Sequence, residues 1–91
     1  MVSKNELTKW VKQFISQITN EWDWPVTFSI DNPEENQTCY RIFLFLNRLK
    51  LSVVVLFDKQ KVEDGDIAEL REKVNRGLIL LKELAEERIV V

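Results

Sequence analysis

The chain has 91 residues, 45% hydrophobic and 31% charged, which suits one folded domain with a single modest core and excludes an intrinsically disordered tail. A net charge of −2 names no partner, and the single cysteine, Cys39, cannot form an internal disulfide, so a stapled secreted scaffold is excluded and a cytoplasmic setting is expected. The opening MVSKNELTKW lacks the apolar core of a signal peptide and no apolar run reaches membrane-spanning length, so no membrane partner is expected.

In chain order, Ser3 and Glu6 have the spacing of a capping box, in which each side chain satisfies a backbone N–H without a helical partner. Leu7, Trp10, Val11, Phe14, Ile15, Ile18 and Trp22 then follow helical spacing and predict a helix over about residues 4–21. Pro25 cannot continue it. Trp24, Val26, Phe28 and Ile30 alternate with smaller or polar residues and predict an edge strand over about residues 24–30. Asp31-Asn32-Pro33 and the polar residues after it predict a turn.

Tyr40 to Phe57, YRIFLFLNRLKLSVVVLF, reads as the central hairpin, with strands over about residues 38–46 and 49–57. An even-length loop at Asn47-Arg48 sets Leu46 opposite Leu49, Leu44 opposite Leu51, Ile42 opposite Val53 and Tyr40 opposite Val55, which makes one face wholly apolar. The other face then pairs Phe45 with Lys50, Phe43 with Ser52, Arg41 with Val54 and Cys39 with Leu56. That face is neither a core nor an ordinary surface. Residues 58–65 read as a connector, and Asp66 with Glu69 reads as a second box-like helix start. Ile67, Leu70, Val74, Leu78, Leu81 and Ala85 form the apolar stripe of a helix over about residues 66–87, widened sideways by Gly77, Leu80 and Leu84. Gly77 inside that helix predicts a close approach to a neighbour. Ile89-Val90-Val91 is expected to overhang the sheet.

Residues 1–91 are therefore expected to be a single α+β domain of order α-β-β-β-α, a three-stranded antiparallel meander with two helices packed on one face. That order is shared by double-stranded-RNA-binding domains and the Alu-binding proteins of the signal recognition particle. The Lys-rich start of the second helix in the former reads Glu63-Asp64-Gly65-Asp66 here.

Catalysis is disfavoured by residue types. There is no His, so the commonest general base is missing and Cys39 has no imidazole to activate it. The only glycines, Gly65 and Gly77, cannot write a phosphate-binding loop, and the acidic run around Gly65 lacks the alternating ligand positions of a calcium loop. No catalytic residue, metal or cofactor is expected.

Charge isolates the hairpin. Arg41, Arg48, Lys50, Lys59 and Lys61 share residues 38–61 with only Asp58, between acidic flanks. On the mixed face, Arg41, Phe43, Phe45, Lys50, Val54 and Leu56 form the candidate interaction surface, suited to a homodimer or another protein partner. Arg41-Ile42-Phe43-Leu44-Phe45 also resembles the aromatic-basic strand of RNA recognition motifs, which implies single-stranded RNA or DNA binding by base stacking. The resemblance covers those five residues, with Ile42 and Leu44 where that family has glycine. If instead one helix covered each face, the phenylalanines would be buried within the chain.

Overall fold

The computed structural model describes residues 4–89. Its elements are α1 (Lys4–Ile18), β1 (Thr27–Asp31), β2 (Cys39–Leu46), β3 (Leu51–Asp58), α2 (Lys59–Glu63) and α3 (Ile67–Ile89), with a 3₁₀ turn at Asn47–Leu49. The strands form one antiparallel sheet in the order β1-β2-β3, so the α+β class and the meander stand as expected. The short helix α2 is an addition to the expected order. Asp58 caps it by accepting the Gln60 N–H at 2.8 Å, and Val62 is fully buried beneath it.

Pleating sorts the sheet into two faces. The inner face carries Ile30, then Tyr40, Ile42, Leu44 and Leu46, then Val55 and Phe57, all buried. Both long helices lie against it. Leu7, Val11, Phe14 and Ile15 of α1 and Leu70, Val74, Leu78, Leu81 and Ala85 of α3 complete one continuous core. A helix on each face is therefore not the arrangement. Gly77 is the closest approach of α3 to the sheet: a Cβ there would stand 2.7 Å from Val55 Cγ2 and 3.0 Å from Leu44 Cδ1.

The hairpin register differs from the expected one by two residues. Leu46 faces Leu51, Leu44 faces Val53, Ile42 faces Val55 and Tyr40 faces Phe57. The loop is four residues long, Asn47 to Lys50, and closes with Lys50 in the left-handed region (φ 54°, ψ 40°), its N–H donating to Asn47 O at 3.2 Å. A shift of two keeps each residue on its expected face, so the apolar pattern alone could not separate the two registers.

Boundaries moved for identifiable reasons. Helix α1 stops at Ile18, where Thr19 turns the chain: its hydroxyl donates back to Ile15 O at 2.7 Å, and Trp22 N–H donates to Thr19 O. Trp24 and Val26 pack on the core but lie outside the paired strand, whose register begins with Thr27 opposite Phe45. Asp66 caps α3 by accepting the Glu69 N–H at 3.2 Å, while the Glu69 carboxylate is paired with Lys61 of α2 and does not return to the cap. Ile67 and Leu80, read as core, are 40% and 48% exposed. The Ser3 half of the first capping box and the Ile89-Val90-Val91 overhang lie outside the described residues and side chains.

Candidate interaction face

With the inner face committed to the core, every second residue of the sheet is aimed at the opposite side. Three rows cross it: Thr27, Phe45 and Ser52; Ser29, Phe43 and Val54; Asp31, Arg41 and Leu56. The apolar side chains concentrate on β2 and β3. Phe43 and Phe45 lie with ring centroids 6.2 Å apart and planes 13° from parallel, a stacked pair that belongs to no part of the buried core. Beside them Val54 and Leu56 are each 53% exposed. The face is thus an apolar strip bordered by the small polar residues of β1.

The two predicted basic residues behave differently from the rest. Lys50 is carried into the hairpin turn, and the position opposite Phe45 belongs to Ser52. Arg41 stays on the face but turns towards the acidic border. Its Nη2 lies 3.3 Å from Glu34 Oε1 and 3.7 Å from Asp31 Oδ2, and its Nε is buried without a partner. Glu34 reaches it because the loop after β1 folds back, with Gln37 N–H donating to Glu34 O at 2.8 Å and Asn36 at φ 79°. The structure therefore brings together Arg41, Phe43, Phe45, Val54 and Leu56 and leaves Lys50 out. The carboxylates that neutralise Arg41 were not legible as site residues. Strand pairing brings Asp31 to Arg41, and the folded loop after β1 brings Glu34.

Elsewhere, an open groove between α1 and the segment after Pro25 is lined by Lys12, Ile15, Ser16, Thr19, Val26 and Phe28, a set with one ionisable group. Among the described residues no cluster of ligating side chains of the size a metal ion needs is found, and no helix is long and apolar enough to cross a membrane. The Glu69 carboxylate, with Asp66 and Asp58 nearby, holds the Lys61 ammonium above its ordinary pKa of 10.5, against an opposing effect of burial. That pair ties α2 to α3 and lies outside the candidate face.

The fold and this face define a small α+β domain with one sheet surface left open. No protein-family model matches the chain, and no curated protein or solved structure matches it.

Proposed function

We propose that this chain is a non-catalytic interaction module of the cytoplasm that self-associates through the outer face of its sheet and serves an accessory or regulatory role. The observation that carries the proposal is the grouping of Phe43, Phe45, Val54 and Leu56 on a face outside the core, with Val54 and Leu56 half exposed. Contiguous apolar patches on folded domains mark interfaces, because leaving them in water forgoes about 25 cal/mol for each Å² that a partner would bury. Two such faces stacked about a two-fold axis would sit ~10 Å apart, the spacing at which side chains of facing sheets interdigitate. Arg41 and its carboxylates then lie at the border, where charges stay solvated.

Single-stranded nucleic acid is the second reading, favoured by the stacked phenylalanine pair, on which bases could lie. Two features weigh against it. Arg41, the one cation on the face, is already flanked by Asp31 and Glu34, and Lys50 has left the face. A phosphate backbone would meet little positive charge there.

Light scattering over a concentration series, comparing the parent with Phe43→Lys, tests the proposal. The variant is expected to lose one level of assembly while keeping its circular-dichroism spectrum. An unchanged mass would remove self-association through this face. Salt-dependent binding of short single strands, abolished by the same substitution, would transfer the face to the second reading.

A further inference from the structure

A different surface of the molecule is complementary to itself. Strand β3 is an edge of the sheet, and between Leu51 and Phe57 it carries neither Pro nor a charged side chain, the devices that ordinarily stop an edge from pairing. The direction of its backbone groups follows from one bond. Lys59 N–H donates to Thr38 O at 2.8 Å, which extends the β2–β3 register by one bonded pair. Bonded pairs alternate along an antiparallel ladder, so odd-numbered residues of β3 bond to β2, and the N–H and C=O groups of Ser52, Val54 and Leu56 aim at the open edge. Leu56 O accordingly accepts from Lys73 Nζ, at 3.4 Å, on that side.

Over this edge runs the flank of α3 that faces away from α1. Lys73, Arg76, Leu80, Glu83 and Glu87 follow one another at spacings of three and four and so share a stripe. Val54, Leu56, Lys73, Arg76 and Leu80 line a common groove there, which places the first three members of the stripe beside the edge. Its charge changes along its length: Lys73 and Arg76 come before Leu80, Arg76 also held by Glu72 of its own helix at 2.6 Å, and Glu83 and Glu87 come after it. Such a stripe complements itself only when a second copy runs antiparallel, with Lys73 facing the second copy's Glu87, Arg76 facing its Glu83 and Leu80 facing Leu80.

The strand agrees with the helix about where the symmetry axis falls. Lys73 reaches Leu56 O and Arg88 reaches Leu49 O, the latter at 2.9 Å, so α3 runs antiparallel to β3. A Cβ on Gly77 would meet Val55 at 2.7 Å and Val53 at 3.8 Å, and three further residues of helix rise ~4.5 Å, a little over one residue of strand, so Leu80 stands about level with Val53. An axis at that level also sets Ser52 opposite the second copy's Val54, two residues whose backbone groups both aim at the edge. Gly77 leaves room for this. Because it lets α3 sit down over Val55 and Leu44, across the gap between β3 and β2, two copies of α3 can lie about 8–10 Å apart above strands ~4.8 Å apart.

We propose that a second copy of this chain pairs β3 against β3, antiparallel, about a two-fold axis beside Val53 and Leu80, joining two three-stranded sheets into one of six. The contact uses the sheet edge and the flank of α3, so it stands or falls separately from the outer face. Both contacts are isologous, the same patch meeting itself across a two-fold axis.

Two charge-reversed variants test it: Glu83→Lys with Glu87→Lys, whose stripe is wholly cationic, and Lys73→Glu with Arg76→Glu, whose stripe is wholly anionic. Each alone is expected to halve the parent's mass in light scattering while retaining its circular-dichroism spectrum, and an equimolar mixture is expected to regain the parent's mass. Unchanged masses overturn the proposal, and so does a mixture that stays at the lower mass. A second measurement does not depend on those folds. In a Cys39→Ser background, Leu80→Cys is expected to cross-link to its own copy under mild oxidation, ahead of Ile79→Cys, whose parent residue is equally exposed at 48% but points away from the edge. Equal cross-linking at the two positions overturns it. Phe43→Lys spares the edge, so a mass that falls with Phe43→Lys and not with the reversed stripes keeps the outer face and removes the edge contact, and the converse pattern removes the outer face alone.

Discussion

Replacing Gly77 by Ala sets two effects of known sign against each other. In an ordinary helix interior the change stabilises by about 1 kcal/mol, because Gly carries the larger backbone entropy cost. Here the new Cβ would stand 2.7 Å from Val55 Cγ2 and 3.0 Å from Leu44 Cδ1, closer than methyl groups pack. Leu44 can yield by a small rotation, whereas Val55 is β-branched and stiff at χ1, so α3 must lift or Val55 must leave its rotamer. Overpacking of this kind costs about 1–3 kcal/mol. The expected net is a destabilisation of about 0–2 kcal/mol, read as a lower urea midpoint at fixed protein concentration. The cycle with Val55→Ala separates the terms. Removing Cγ2 removes the shorter contact, so in that background Gly77→Ala is expected to be neutral or stabilising by up to ~1 kcal/mol, a coupling of about 1–2 kcal/mol. A Gly77→Ala single variant more stable than the parent, or a coupling near zero, would refute the close approach as the reason for this glycine.

Truncation should distinguish the two sheet faces: Leu44→Ala, fully buried, is expected to cost about 2–5 kcal/mol in urea denaturation, whereas Leu56→Ala, on the outer face, is expected to stay below ~1 kcal/mol in the dissociated chain. Lys50→Gly relieves a left-handed residue at the hairpin turn and is expected to raise the melting temperature by a few degrees, corresponding to about 0.5–1 kcal/mol. The Lys61 ammonium is held above its ordinary pKa by Glu69, so its contribution is complete below about pH 10.5 and is lost as pH rises through the higher folded value. Amide hydrogen exchange in α2 and at the start of α3 should therefore be insensitive to Lys61→Met at neutral pH only if the pair contributes nothing there, and the expected outcome is faster exchange in the variant.

What could be read from residues alone follows periodicity. The alternation of Tyr40, Ile42, Leu44 and Leu46 with Arg41, Phe43 and Phe45 assigns both faces of β2, because a pleat has a period of two and nothing else satisfies it. The same symmetry hid the register: loops of two and four residues give identical faces, and the choice rests on Lys50 accepting a left-handed conformation that a Lys at that position does not advertise. Helix α2 was missed because five residues are too few to show a helical period, and Val62 alone marks its buried side. Leu80 was grouped with the core because a stripe at helical spacing has no sharp edge. Three-dimensional placement puts it beside the β3 edge, where its neighbours change sign. The acids flanking Arg41 come from a strand and a loop that sequence separation does not connect, so a basic residue that reads as free is in fact paired.

The pleat of β2 has a further consequence. Its eight residues answer to two masters in turn, four to the volume of the core and four to the outer face. Under selection the two sets would drift by different rules: positions 40, 42, 44 and 46 exchanging apolar groups only as their neighbours in α1 and α3 make room, positions 39, 41, 43 and 45 changing in step with the surface of the proposed partner. A single strand would then keep two histories side by side, one of the domain and one of its interface.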